Sequence, residues 1–547
     1  MGAASGADMS AEVSVREAVF ALFRSFGLTT VFGNPGSTEL PMFRDFPADF
    51  RYVLALQESL AVGMADGFAQ ATRGAALVNL HSAVGIGHAL GNIFTAFRNQ
   101  TPLVITAGQQ ARSILPYEPF LFSEQAAEFP KPYVKWSCEP ARAEDVPAAI
   151  ARAYYVAMQA PRGPTFVSIP VDDWDRKCAL LEPRKVSQRV AADPELLVEA
   201  GAALARAARP VIVVGAAVAR DDAWDEVIEL AERHEASVWV SPMSSRNSFP
   251  ENHRLFAGFL AADRERIVEA LAGADFILVL GAPAFTYHVE GFGPHIPLGA
   301  ELVQLTDNPG QAAWTPVGRS IVTHLKLGVR ALLAGPAPTK RPPSPLRPPP
   351  QRQCDNLLSD AFLLQEIAAL RPADSVIVEE APSTRGPMHD YLPILRRDGF
   401  YTCASGGLGH GLPAAVGVAL ARPREQVIAI LGDGSSMYSI QALWSAAQLK
   451  LKIVFVIVNN RRYEALHEFA RHFKLERLQG TRLPQIDFCG LARSFGIQAV
   501  RVARARDLGV VLADAFTFTR PILVEVVIDG ADDPRPEDPQ AGHESPA

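Results

Sequence analysis

Residues Gly432 to Asn460 read GDGSSMYSIQALWSAAQLKLKIVFVIVNN, and their pattern decides the fold. Just ahead, Val427-Ile428-Ala429-Ile430-Leu431 is an unbroken apolar run of strand length, as expected of a strand buried on both faces of a parallel sheet. Gly432-Asp433-Gly434-Ser435 then turns the chain, since glycine permits conformations and close approaches that other residues do not. Ile440, Leu443, Trp444 and Ala447 fall at i, i+3, i+4 and i+7, which predicts an amphipathic helix. Ile453 to Val458 reads as a second strand, ending in Asn459-Asn460. A strand–helix–strand unit of this kind places Asp433 and Asn460 at carboxyl ends of strands, where open α/β sheets bind ligands.

The residue types suit a hard cation carrying a diphosphate. Mg²⁺ takes about six oxygens, commonly one or two carboxylates, phosphates and water. Asp433 offers a charged oxygen, Asn460 a neutral one, and the irregular backbone after Asn460 a carbonyl. The N–H groups of the glycine-rich turn and the helix start can receive phosphate oxygens. A bare Gly-Asp-Gly is more often just a strand-to-helix turn. Followed by an amphipathic helix, an apolar strand and a pair of asparagines, it is a specific signal.

The 547 residues have room for about three domains at 150–200 residues each. A hydrophobic share of 48% with 20% charged residues is that of an ordinary globular protein. The net charge of −7, with no lysine- or arginine-rich run, argues against a nucleic-acid surface. Cys138, Cys178, Cys354, Cys403 and Cys489 are scattered, without a CxxC pair, so neither a zinc site nor a disulfide framework is expected. With no signal-peptide pattern and no membrane-length apolar run, the chain reads as soluble and cytoplasmic, with no membrane partner.

Working outward, Ser14-Val15-Arg16-Glu17 has the capping-box form, and Gly27 makes a good stop for the helix behind it. Strands are expected at Thr30–Phe32, Tyr52–Leu56, Ala75–Leu80, Leu103–Ala107 and Thr165–Ile169, with an alanine- and glycine-rich helix from Ser59 to Thr72 pressed closely on its neighbours. Pro210–Gly215, Ser237–Val240 and Phe276–Gly281 repeat the alternation. Position Gly215 lacks a GxGxxG fingerprint, which weakens the case for a nucleotide-linked oxidoreductase. The predicted fold class is α/β, with three doubly wound parallel-sheet domains over 12–182, 190–335 and 353–528. A proline-rich linker over 336–352 and a disordered tail over 529–547 complete the division.

Gly33-Asn34-Pro35-Gly36-Ser37, Gln57-Glu58, Asn79-Leu80-His81-Ser82, Ser405-Gly406-Gly407-Leu408-Gly409 and the 432–460 stretch, taken together, resemble the benzoylformate decarboxylase family of thiamine-diphosphate (ThDP)-dependent 2-oxo acid decarboxylases. The likeness runs from about residue 15 to 527. It implies a pyrimidine-binding first domain, a middle domain and a diphosphate-binding third domain. It also implies homotetramers in which each cofactor lies between the first domain of one chain and the third of its partner. The implied reaction is non-oxidative decarboxylation of an aromatic 2-oxo acid to the aldehyde and CO₂, through a C2 ylid and an enamine, with the cofactor as electron sink.

Residue by residue, the resemblance gives Glu58 to the aminopyrimidine nitrogen, and Asp433, Asn460 and the carbonyl of Arg462 to Mg²⁺, with Ca²⁺ as an alternative. Ser383, Gly406, Leu408, Gly432, Gly434, Ser435 and Tyr463 would complete the cofactor site, with Leu408 propping the bent cofactor. Ser37, His81 and His288 would be catalytic, and histidine suits proton transfer near neutral pH. Phe120, Leu121, Leu466 and Phe469 would wall an apolar substrate pocket. His88, His295, His389 and His410 have no motif support and are read as ordinary residues.

Six positions depart from the family pattern: Arg461-Arg462-Tyr463-Glu464 stands for Gly-Thr-Tyr-Gly, differing at three, and Pro382, Thr402 and Phe120 replace a threonine, an aromatic residue and a leucine. They predict intact cofactor machinery, an added charge from Glu464 beside the cleft, and a reshaped substrate cavity. An acetohydroxyacid-synthase-like carboligase is the rival, and FAD, frequent in that group, is not expected here.

Overall fold

The computed structural model describes residues 12–338, 340–354 and 356–528. The expected tail over 529–547 lies outside the described residues. Apolar runs form three sheets of six parallel strands each. The first has the order Arg51–Leu54, Thr30–Gly33, Ala76–Leu80, Leu103–Gln109, Thr165–Pro170, Ser137–Cys138. The second runs Phe256–Phe259, Ser237–Val240, Pro210–Val214, Phe276–Leu280, Glu301–Thr306, Arg319–Val322. The third runs Phe400–Tyr401, Val376–Glu380, Val427–Gly432, Ile453–Asn459, Ile522–Val527, Gln498–Val502. The order reverses at Pro210–Val214 in the middle sheet and at the second strand, Thr30–Gly33 or Val376–Glu380, in the first and third, and such a switch point opens a ligand crevice at the strands' carboxyl ends. Glu12–Ser14 pairs antiparallel with Lys177–Ala179, tying the start of the first domain to its end.

Local signals act as expected at the first helix. Ser14 caps Val15–Ser25, its hydroxyl accepting from Glu17 N–H while the Glu17 carboxylate accepts from Ser14 N–H. The helix predicted after Gly432 is broken, forming Asp433–Met437 and Ala442–Gln448. Ile440 and Leu443 are still buried, whereas Trp444 is only half-buried.

One core cluster serves two domains. Helices Glu58–Thr72 and Gly411–Ala421 lie against each other between the first and third sheets, with Leu60, Met64, Leu412 and Val416 fully buried between them. The approach needs glycine: a Cβ on Gly417 would lie 1.9 Å from the Met64 carbonyl oxygen, and one on Gly67 2.2 Å from that of Ala414. The middle domain has its own core, including Ile212, Leu278 and Val303.

The described residues of the proline-rich stretch form no helix or strand, yet the stretch is strapped down. Arg341 donates to the carbonyls of Leu204, Ala205, Ala207 and His234, and Ser344 to that of Glu235. No helix among the described residues is long and apolar enough to cross a membrane.

Candidate active site

The third sheet builds one half of the site from backbone. Strand Val427–Gly432 delivers Asp433, which opens a short helix, and Ile453–Asn459 beside it delivers Asn460. Asp433 is 3% exposed. One carboxylate oxygen accepts the N–H of Gly434 at 2.7 Å, and the other is buried with no hydrogen-bond partner. Burial pushes this carboxyl up to about 6, against the pull of N–H groups from Gly434, Arg461, Arg462 and Asn460. A desolvated carboxylate with a spare oxygen at a strand end fits a cation. Among the described residues no group of three or more His, Cys, Asp or Glu could hold a metal. A site here would therefore rely on Asp433, neutral oxygens and a ligand's phosphates.

The neighbouring residues are held by backbone hydrogen bonds and glycine contacts. The Asn460 side-chain oxygen accepts the N–H of Arg462 at 3.1 Å, and the Arg462 carbonyl accepts that of Glu464 at 3.0 Å, leaving that carbonyl a second lone pair. Tyr463 lies across Gly434, where a Cβ would sit 2.3 Å from its ring. Gly432 abuts Ala381, which leads into exposed Pro382 and half-buried Ser383, with Ser435 next to the same turn. Gly406, at φ +72°, and half-buried Leu408 lie on the loop before Gly411–Ala421.

The first domain builds the other half from paired side chains. Glu58 is 8% exposed at the start of its helix, capped by Gln57, a position that suits an acid by the helix dipole. His81 ends strand Ala76–Leu80, and Glu58 and His81 flank Gly85, where a Cβ would lie 3.2 Å from Glu58 and 3.4 Å from His81. Ser37 is exposed in the turn before Thr38, whose hydroxyl lies 3.2 Å from His81 Nδ1. No hydrogen bond or ion pair among the described residues joins Glu58 to the Asp433 group.

His288 is exposed in the middle domain, and its ring meets Phe469 of the third domain edge-on at 4.6 Å. Leu466 and Phe469 share the helix Glu464–His472. Phe120 is 87% exposed with no ring partner among the described residues, and the Leu121 carbonyl accepts the Ser82 hydroxyl at 3.0 Å. Phe120 and Leu121 belong to the first domain and Leu466 and Phe469 to the third.

Two expectations are revised. Glu464 forms ion pairs with Arg462 and, at 4.0 Å, with Arg471 of the helix that Glu464 opens, so its charge is compensated locally. Thr402 is buried, donating to Glu379 at 2.7 Å and accepting from Arg385 at 2.9 Å, so it belongs to a structural network rather than a cavity wall.

Sequence reasoning missed three side chains. Glu39 is 1% exposed and faces His81 Nδ1 at 2.8 Å, and this hydrogen bond raises the histidine above its ordinary value. Its place in the capping-box register after Gly36 was the available signal. His88, read as ordinary, lies 3.0 Å from Glu58. His410, also read as ordinary, is buried in an ion pair with Asp66.

Comparison with known proteins agrees along the chain. Residues 13–127, 197–332 and 383–526 match the N-terminal TPP binding domain, the central domain and the C-terminal TPP binding domain of thiamine pyrophosphate enzymes. The chain is 44% identical over 519 residues to benzoylformate decarboxylase from Pseudomonas aeruginosa, covering 94% of this chain and 98% of that protein. The crystal structure of benzoylformate decarboxylase from Polynucleobacter necessarius superposes with a TM-score of 0.92 at 39% identity, covering 94% of this chain and 98% of that one. The 4-hydroxybenzoylformate decarboxylase of Rhodococcus jostii superposes with a TM-score of 0.91 at 40% identity, covering 94% and 99%. Acetolactate synthase isozyme 3 large subunit from Escherichia coli is 24% identical over 542 residues, covering 92% and 93%. The paired geometry and these likenesses agree that the chain belongs to the benzoylformate decarboxylase family of thiamine pyrophosphate enzymes.

Proposed function

We propose that this protein removes CO₂ from an aromatic 2-oxo acid of the benzoylformate type, giving the aldehyde, with ThDP and a divalent metal, Mg²⁺ for choice. The observation that carries the reading is the Asp433 carboxylate, buried at a strand end with one oxygen unpartnered beside Asn460. ThDP, when bound, supplies the electron sink that decarboxylation requires. Asp433, the Asn460 side chain and the Arg462 carbonyl would hold the metal, and N–H groups from Gly432 to Ser435 the diphosphate. Glu58 would hold a proton at the pyrimidine nitrogen, while Leu408, Tyr463, Ser383 and Gly406 shape the cofactor's seat.

Ser37, exposed at its turn, would bind the substrate carboxylate. His81, kept protonated to higher pH by Glu39, would carry a proton to the substrate carbonyl oxygen, and His288 would serve as the second carrier. Leu466 and Phe469, with Phe120 and Leu121, would exclude water from the reacting carboxylate. The family resemblance supports a homo-oligomer, a tetramer, whose sites combine the first domain of one subunit with the third of another. The protein would work in the cytoplasm.

The test is a panel of 2-oxo acids with aldehyde detection, run with and without ThDP and Mg²⁺. Cofactor-dependent release of benzaldehyde from benzoylformate is expected. Turnover of aliphatic 2-oxo acids alone, or a coupled hydroxyketone with no free aldehyde, would overturn the assignment.

A further inference from the structure

A second buried acid lies beside Asp433 and touches no proposed ligand. Glu380 closes strand Val376–Glu380, opposite Leu431 in the strand that delivers Asp433. It is 1% exposed, and its two oxygens accept the N–H groups of Gly409, at 2.6 Å, and Gly411. The fit at Gly411 is tight: a Cβ there would lie 2.6 Å from that of Glu380. These two glycines flank His410 and follow Leu408, so one carboxylate spans the turn on which Leu408 rides.

The same turn is held from the opposite side by the helix Ser82–Asn99. Asn92, 3% exposed, donates to the Gly409 carbonyl at 3.3 Å and to the Ser59 carbonyl at 2.8 Å. The Asn99 side-chain oxygen accepts the N–H of Ala404 at 2.8 Å, and Thr95 and Ser405 share a hydrogen bond of 2.9 Å. His410 adds its buried ion pair with Asp66. Loops are ordinarily the mobile part of a fold, and this one is gripped on both sides by buried polar groups.

Burying a carboxylate is costly unless donors meet it, and burial here pushes Glu380 up to about 7 while Gly411, His410 and Gly409 pull it back. With one oxygen on the N–H of Gly409 and the other on that of Gly411, the acid fixes the backbone on both sides of His410, starting one residue after Leu408.

We propose that Glu380 is a positioning residue for the cofactor, pinning the Leu408 turn to the strand beside Asp433, with Asn92 as the opposing clamp. The proposal rests on the reading of Leu408 as the cofactor's support. An amide at position 380 keeps the shape but turns an NH₂ group toward one of the two N–H donors, freeing half the grip.

The experiment is a double-mutant cycle of Glu380→Gln and Leu408→Ala, reading ThDP affinity by tryptophan fluorescence in saturating Mg²⁺, kcat and KM for benzoylformate, and the unfolding midpoint of the apoprotein. Glu380→Gln should weaken ThDP binding about tenfold or more and lower kcat more than it raises KM, with the apoprotein midpoint nearly unchanged. In the Leu408→Ala background the same change should cost less than about threefold, since both act through one contact. Additive losses, or a lowered midpoint with unaltered ThDP affinity, would overturn the inference. If Leu408→Ala alone leaves ThDP binding untouched, the assignment of Leu408 fails; if it weakens binding and Glu380→Gln does not, only the inference about Glu380 fails. Should Glu380→Gln not fold, Asn92→Ala carries the same criteria, with a smaller expected loss of affinity.

Discussion

The middle and third sheets are each built of six parallel strands with a reversal in their order, yet their carboxyl ends are finished differently. In the middle domain the acids at those ends find partners. Asp307 faces Arg220 at 3.5 Å, Asp221 accepts the N–H of Leu325 at 2.7 Å, and Asp222 pairs with Lys326 at 3.0 Å and with Arg73 of the first domain at 2.7 Å. In the third domain Asp433 keeps one oxygen free, behind a turn stripped of side chains at Gly432 and Gly434. One crevice is closed by the protein's own charges, and the other is left for a ligand's. Topology marks both places as possible sites, and local chemistry decides which one is used.

Substitution at Asp433 should break that contrast most severely. Asp433→Ala should lower decarboxylation by about a thousandfold or more and abolish the stabilisation of the protein by Mg²⁺ with ThDP, read by turnover and by thermal unfolding. The matching change in the middle domain, Asp307→Asn, should do little. Arg220 keeps its bond to Gln100 and the charge of nearby Asp221, which also loses a like-charged neighbour, so urea unfolding should shift by no more than about 1 kcal/mol. Activity should stay within about threefold.

The pH dependence sharpens the same contrast. Burial raises Asp433 to about 6 in the native state, so between roughly pH 4 and 6 the folded apoprotein binds more protons than the unfolded chain. Its contribution therefore falls as pH rises through that window, by up to ~3 kcal/mol. Asp433→Asn should flatten the slope, as should Mg²⁺ with ThDP; an unchanged slope in the variant would place its origin elsewhere.

The smallest effect belongs to the first domain, whose charges are paired. The hydrogen bond from Glu39 raises His81, so its stabilising contribution is complete below the ordinary histidine value and is lost as pH rises through the raised one. Glu39→Gln should move the alkaline limb of kcat/KM to lower pH without changing the acidic limb.

Much of this was legible from sequence because each signal is local. Apolar runs bounded by glycine or polar residues identified the central strands, and Asp433 and Asn460 are two ends of one strand–helix–strand unit. Other strands were harder: Ser137–Cys138 at a sheet edge spans only two residues, and Glu301–Thr306 carries a polar but fully buried Gln304 that donates to the Ala282 carbonyl. The break between Met437 and Ala442 left the 3.6-residue spacing intact, so periodicity could not reveal it. The groups that tune the site were hidden for another reason. Glu39 and His81 are 42 residues apart, Glu380 and Gly411 31, and Asp66 and His410 344, and only the packed domains bring such pairs together.

The central claim is that one ThDP is gripped at its pyrimidine by Glu58 and at its diphosphate, through a metal, by Asp433. The most direct measurement is a crystal structure of the protein with ThDP and Mg²⁺. The account predicts the metal on Asp433, Asn460 and the Arg462 carbonyl, with a Glu58 carboxylate, from a neighbouring subunit, hydrogen-bonded to the pyrimidine nitrogen of the same cofactor. A bound cofactor that no copy of Glu58 reaches, or a diphosphate seated away from Asp433, would contradict it.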